Sequence, residues 1–346
     1  ATLTAAVGCD PPDLTPSSEV IRLRVLAIES EPAEIEFGDE VTLRPVIADP
    51  WAEGYSVQWM PCISADLGGF AGCDFENMLV DLTNPLALGG LTEETLHFTV
   101  DQEVVAEKLG ERGPLSRADG LGLQFILMLL PRGKTFFDYM PPFDPTQIGD
   151  PDYLEQYAQD ANDALMEVFE ALIRQSRIAY KRVLVTDTES VGLALHTEGP
   201  CADLPGLLRN DAPTLGGLIQ IVDGVEFAVP SGATLEVPAG TSTTLKPLWN
   251  GEDRQHYYHV SWEGLTECRE ESPYFGWYAT GGGYSAEDFG GSDYSYLDPN
   301  GIPYAMNWNA PSDVPERNPV EAWMVVWDRR GGMHHVEWRF DVTPSE

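Results

Sequence analysis

Positive charge is what this chain has least of. Its 346 residues carry 20 Lys+Arg against 56 Asp+Glu, a formal net charge of −36. Only Lys108, Lys134, Lys181 and Lys246 are lysines. That balance excludes the basic footprint of a nucleic-acid binder and the polybasic surface that docks on anionic lipid. Long apolar runs are also missing. The longest, around Leu123–Leu130, falls well short of the ~20 residues a transmembrane helix needs. No Gly-rich phosphate loop leading into Lys-Ser/Thr occurs, and no G-x-G-x-x-G, H-E-x-x-H or G-x-S-x-G. With so many acids, a carboxylate pair at glycosidase spacing carries no information. Disorder is excluded in turn, because hydrophobic residues make up 43% and aromatics 10%.

Cysteines are few, and their placement is informative. Ala6-Val7-Gly8-Cys9 resembles the end of a bacterial lipoprotein signal peptide, in which small residues precede a Cys that is lipidated. Residues 10–18 are Pro-rich and polar and read as a tether. Setting Cys9 aside leaves Cys62, Cys73, Cys201 and Cys268, enough for two disulfides. Of the three connectivities, the local one, Cys62–Cys73 with Cys201–Cys268, is preferred. Zinc is the competing reading, but C-x2-C spacing is missing. Paired cysteines fit an oxidising compartment.

A prior of roughly 150 residues per domain gives two domains. Val20–Ser30, Glu40–Ala48, Tyr55–Met60, Leu96–Val100, Leu121–Leu130 and Ile178–Thr186 read as strands, the fifth fully buried. Trp59 with Cys62 close behind it suggests an immunoglobulin-like sandwich. Between the last two strands Asp150-Pro151 is a helix start. Leu154, Tyr157, Ala161, Leu165, Val168, Phe169, Leu172 and Ile173 recur at helical spacing. Acids Asp152 and Glu155 open this helix and Arg174 and Arg177 close it. A shorter helix is expected over Asp101–Leu109. The long helix packs its apolar face at home or offers it to a partner, through Tyr157 and Phe169 among others.

Residues 188–212 read as a connector. A second β pattern follows: Leu218–Val222, Ala233–Val237, Ser242–Pro247, Tyr257–Trp262, Tyr274–Thr280, Ile302–Trp308, Val320–Trp327 and His335–Val342. Asp328-Arg329-Arg330-Gly331-Gly332 is the last hairpin turn. The expected architecture is mainly β: two tandem immunoglobulin-like β-sandwiches, 20–187 and 213–346. The first carries an α-helical insertion (about 132–177) between its last two strands, and residues 1–19 are signal remnant and tether.

Several stretches carry a resemblance. They are Leu23-Arg24-Val25-Leu26-Ala27, Glu31-Pro32-Ala33-Glu34, Val41-Thr42-Leu43, Trp277-Tyr278-Ala279-Thr280-Gly281-Gly282, Trp308-Asn309-Ala310-Pro311 and Val325-Val326-Trp327-Asp328-Arg329-Arg330-Gly331-Gly332. With these the chain resembles the two-domain Ig-like exported lipoproteins of myxobacteria and their relatives, a family of unknown function. The resemblance covers both β domains but not the helix. It implies fold and export and supplies no catalytic residue.

Two surface features remain. Asp288, Asp293, Asp298 and Asn300 offer hard oxygen ligands of the kind Ca2+ takes, without EF-hand spacing; as turn formers they equally suit a solvated loop. Tyr284, Tyr294 and Tyr296 supply the large, low-entropy contact area of recognition surfaces, or cover their own core. His334 and His335 are adjacent on a strand, so they point to opposite faces. The expected protein is a non-enzymatic envelope lipoprotein with an outer-membrane location. It contacts the membrane through lipid on Cys9, acts as a surface scaffold or binding module, and has an envelope protein as partner. The alternative is a calcium-dependent adhesion or glycan-binding surface protein.

Overall fold

The computed structural model describes residues 18–64, 90–99, 101–104, 122–147, 149–175, 177–185, 199–202, 204, 209–249, 254–260, 266–285, 294–298 and 300–345. These form a mainly β protein. The first half runs β1 (Arg24–Glu31), β2 (Glu34–Ile35), β3 (Glu40–Ala48), β4 (Tyr55–Ser64), β5 (Leu96–Thr99), β6 (Gly122–Pro131), α1 (Pro151–Arg174) and β7 (Ile178–Val185). Strand order is β1-β3-β5 in one sheet and β2-β7-β6-β4 in the other. Val41, Leu43 and Ile28 from the first sheet share a core with Trp59, Phe125, Leu127 and Val183 from the second. Of the expected short helix, residues 102–104 are helical, started by the Asp101 carboxylate, which accepts from Glu103 N at 2.8 Å; the rest lies outside the described residues.

Strand β6 shows why its sequence lacks alternation. Leu123, Phe125, Leu127 and Leu129 enter the core between the sheets. Ile126, Met128 and Leu130 point the other way and meet Leu172 of α1, with Val168 and Phe169 beside it. A strand covered on both faces needs apolar residues at both parities. Helix α1 connects β6 to β7, which pair antiparallel. Asp150 caps it, accepting from Asp152 N at 3.1 Å, with Pro151 in the first turn.

The second half runs β8 (Leu215–Val222), β9 (Val225–Val229), β10 (Thr234–Pro238), β11 (Ser242–Trp249), β12 (His256–Val260), β13 (Thr266–Glu270), β14 (Tyr274–Ala279), β15 (Gly283–Ser285), β16 (Tyr294–Ser295), β17 (Met306–Asn309), β18 (Val320–Trp327) and β19 (Met333–Thr343). Its sheets are β10-β19-β18-β14-β16 and β15-β17-β11-β8-β9, with β12-β13 apart. Trp277, Trp308, Trp338 and Phe340 lie in the core between them, and Trp308 stacks on Phe340 with centroids 3.7 Å apart. The expected strand Ile302–Trp308 is shorter than its apolar residues suggested, because Pro303 and Tyr304 pair back on Leu297 and Tyr296 instead of joining β17. Strand β9 was missed for the opposite reason: four of its five residues are exposed, so its apolar content marks no core.

The two halves are themselves stacked. On β3 the outer face is polar at one end, through Thr42 and Arg44, and buried at the other, through Val46 and Ala48. Those two join Leu26 and Ala27 against Tyr278, Trp323 and Val325 of β14 and β18. Hence Val320–Trp327 is also apolar at both parities: Ala322, Met324 and Val326 face one core, Trp323 and Val325 the other. Ahead of β1, Val20 N donates to Ala279 O at 2.8 Å and Ala279 N to Ser18 O at 2.9 Å. The chain is therefore held from Ser18 onward, and Val20 belongs to this contact rather than to β1.

Candidate functional site: the buried polar seam

A cluster of buried charge sits where the halves meet. It draws on five separate stretches: Glu34 of β2, Lys181 of β7, Asn210 of the connector, Glu271 after β13, and the β18–β19 turn with Asp328 and Arg330. All six side chains are buried. The turn is built by its backbone. Asp328 Oδ1 accepts from Arg330 N at 2.7 Å and Gly332 N at 3.0 Å. A Cβ at Gly332 would lie 2.1 Å from Asp328 Oδ2 and would displace that carboxylate from its bonds.

The turn then reaches into both halves. Arg330 donates to Glu271 Oε1 at 2.8 Å and Gln255 Oε1 at 3.0 Å. Its other terminal nitrogen lies 3.5 Å from Glu34 Oε2 in the first half, and its guanidinium covers the Tyr257 ring at 4.2 Å. Lys181 Nζ donates to Gly331 O. Asn210 stands between the halves: its backbone N–H donates to Glu34 Oε2 at 2.8 Å and its amide to Asp328 Oδ2 at 2.7 Å. Beside it, Arg209 binds Glu36 at 2.7 Å and Asp39 at 2.9 Å. A planar fork satisfying two carboxylates is what Arg does and Lys cannot.

Burial sets the electrostatics. It pulls the Lys181 ammonium down from 10.5 to about 8, although Asp328 and Glu29 oppose the fall. It pushes the Asp328 carboxyl up against the Asn210 bond and the Arg330 charge, and the Glu271 carboxyl up against the Gln255 and Arg330 bonds. A second polar contact crosses the seam nearby. Glu29 Oε1 accepts from His335 N at 2.9 Å, meets His335 Nδ1 at 2.7 Å and lies 3.7 Å from His334 Nδ1. Burial alone would raise Glu29; the His335 bond and the histidine charges outweigh it and hold it low. Burial also lowers His334. So both histidines approach one carboxylate, a convergence that strand parity alone did not suggest. Among the described residues no group of three or more His, Cys, Asp and Glu is arranged to hold a metal ion.

The connector is fastened a second time. Cys201 and Cys268 form a disulfide, and Tyr258 Oη donates to Cys201 O at 2.7 Å. Cys62 is disulfide-bonded; Cys73, its expected partner, and the lipidation candidate Cys9 lie outside the described residues. So do Asp288 and Asp293 of the calcium candidate. Asp298 and Asn300 are described and bond each other: Asp298 Oδ1 accepts from Asn300 N and Ile302 N, both at 2.8 Å. That is the turn-forming use of Asp.

The aromatic candidates separate. Tyr284 is buried in the second core, tilted on Trp277 at 5.6 Å, which corrects its expected place on a recognition surface. Its position on β15 faces inward, a fact hidden because that strand was not anticipated. Tyr294 pairs with Gly276 through the β14–β16 ladder, and its side chain lies outside the described residues. Tyr296 is 39% exposed and lies 6.4 Å from the Tyr274 ring. Phe169 packs on the home sheet with Leu172. Tyr157 stacks with Tyr153 at 6.2 Å and meets Phe143 edge-on at 5.0 Å. Sequence reasoning missed the seam: it read Asp328 and Arg330 only as turn residues, and Asn210 only as part of a connector.

No protein-family model matches the chain, and no curated protein sequence matches it. Among solved structures it is similar to the two tandem V-type regions of the chitin-binding protein VCBP3, at 9% identity and TM-score 0.29, covering 93% of this chain and 100% of that one. It is also similar to the Yersinia pseudotuberculosis adhesin InvE, at 10% identity and TM-score 0.20, covering 91% of this chain and 58% of that one. A nucleoside hydrolase-related protein from Saccharophagus degradans associated with carbohydrate metabolism matches at 12% identity and TM-score 0.21; 37% of this chain spans 26% of its length.

Proposed function

We propose that this chain is a non-enzymatic protein of the bacterial cell envelope: two tandem Ig-like sandwiches joined into one stiff scaffold or binding module, tethered to the outer membrane by lipid on Cys9. The observation that carries the scaffold reading is the seam. Arg330 ties Glu271 of one half to Glu34 of the other, beside an apolar patch shared by both halves. Buried ion pairs and an apolar patch that span both halves oppose their relative motion. The seam's acids and bases are engaged with one another, which suits a lock better than a reaction centre.

Strand pairing supports the Ig-like reading. In each half a short early strand pairs parallel with the last strand, β2 with β7 and β10 with β19. The first half sets β1, β3 and β5 in one sheet against β4, β6 and β7, with β2 beside β7, in the other, a division that supports the sandwich reading. Helix α1 is then an insertion between the last two strands. The Cys201–Cys268 disulfide agrees with export, and the sequence Ala6-Val7-Gly8-Cys9 supports the tether. Intact-mass spectrometry of protein isolated from its native membrane tests the anchor. A diacylglycerol adduct on a chain beginning at Cys9 is expected; an unlipidated chain that retains Ala1–Gly8 refutes it.

A further inference from the structure

Strand β9 is built unlike the other sheet edges among the described residues. It ends its sheet, paired on one side to β8, so alternate backbone N–H and C=O groups on its other side face outward. Proteins protect such edges by shortness, Pro, Lys, a bulge or an inward charge. The remaining edges here use shortness, Pro or charge. β2 and β16 have two residues each and β15 three. β4 carries Pro61 and β10 ends in Pro238. β5 has four residues with His97 among them, and β1 ends in the exposed Glu31, paired with Arg44. The β12–β13 hairpin carries His256, Glu267, Arg269 and Glu270.

Strand β9, Val225-Glu226-Phe227-Ala228-Val229, has little of this. Its register with β8 runs unbroken from Val222↔Val225 to Leu218↔Val229. Its one charge, Glu226, is bonded to Lys246 at 2.5 Å. Val229 enters the core. By strand parity Phe227 and Val225 lie on the same face, beyond the core's end. They are 51% and 55% exposed, and Val222, opposite Val225, is 45% exposed. Past the core, and past Gln220, which lies opposite Phe227 and is bonded to Thr243, the sheet thus presents three exposed apolar side chains at its edge among the described residues.

We propose that β9 receives an added strand: an extended segment of another protein, apolar at alternate positions so as to cover Val222, Val225 and Phe227, and basic at the positions between. Backbone pairing supplies the docking, as in other strand additions. The overall charge selects the sign. A second copy would bring −36 against −36, whereas a cationic strand is drawn in by the field of the whole molecule. The proposal is independent of the lipid anchor.

The test uses the full chain and a short synthetic peptide of alternating lysine and valine, followed by calorimetry at physiological salt. A second peptide is identical but N-methylated on the backbone nitrogens of one edge, which keeps charge and side chains and blocks the ladder. The expected result is binding of the first peptide, its loss on N-methylation, and about tenfold weakening in the double variant Val225→Thr, Phe227→Thr, which keeps the protein's charge. The control Val314→Thr, at another exposed apolar position, is expected to bind normally. Equal binding of both peptides would mean charge attraction alone and overturn the proposal, as would no binding. Self-association that disappears in the double variant would identify a second copy as the occupant and also overturn it.

Discussion

Lys181→Met isolates the electrostatic cost of the seam. In the folded chain the lysine loses its proton near pH 8, against the 10.5 of an ordinary exposed lysine. A fall of that size corresponds to about 3 kcal/mol held against the charged form, since each unit is worth about 1.4 kcal/mol. Below pH 8 the folded protein carries that burden in full. Between pH 8 and 10.5 the unfolded chain binds the proton and the folded one does not, so stability rises with pH. Above 10.5 neither state holds it and the burden is gone. Methionine keeps the length of the stem and has no charge. Urea unfolding of both proteins from neutral pH to 10.5 gives the difference curve, in which the tyrosines and other shared titrations cancel. The wild-type protein is expected to gain up to about 3 kcal/mol relative to Lys181→Met across the window. Parallel curves would refute the reasoning: Lys181 would then be as hydrated folded as unfolded, and the seam would not be dry.

Two further outcomes follow from the same junction. Arg330→Met leaves Glu271 and Glu34 without their shared cation and is expected to cost about 3–5 kcal/mol, seen as a lower thermal midpoint and as new proteolytic cleavage near the connector; an unchanged midpoint would show that Arg330 bridges nothing of consequence. Replacing Cys201 and Cys268 together by serine opens a loop of sequence separation 67 and is expected to lower stability by about 4 kcal/mol, measured by denaturant unfolding; a loss near zero would show that Tyr258 and the seam already fix the connector.

The layers of the fold were legible where one strand carried the signal. Leu123–Leu130 and Val320–Trp327 lack polar alternation because each has a partner layer on both sides, and their sequences say so directly. Asp150-Pro151 announced α1, and Asp328 to Gly332 announced the turn. What was hidden needed residues far apart to be placed together. Nothing in the local sequence around Glu34, Lys181, Asn210 or Glu271 marks it for burial, and Arg330 reads locally as a turn residue. Periodicity describes the faces of one element, whereas the seam is made by pairings more than a hundred residues apart, such as Asn210 with Asp328. Strand β9 was hidden for a different reason. Four of its five residues are exposed, on both faces, so it had no contrast of burial to generate a pattern, and only Val229 enters the core.

The scarcity of cations ties these features together. Two of the few that exist, Lys181 and Arg330, are buried in the seam, and Arg209 is held by Glu36 and Asp39 beside it. Bases that fasten the halves to each other are not free to neutralise the outer surface. The seam takes in Glu34, Glu271 and Asp328 with those bases, so the outer surface keeps nearly the whole excess of acids. Such a surface repels copies of itself, which keeps an exposed apolar edge such as β9 from pairing with its own kind. The same field lowers the barrier for a cationic strand. The net charge of −36 lets the chain carry an unprotected edge: general self-association is opposed by charge, and one class of partner is favoured by it.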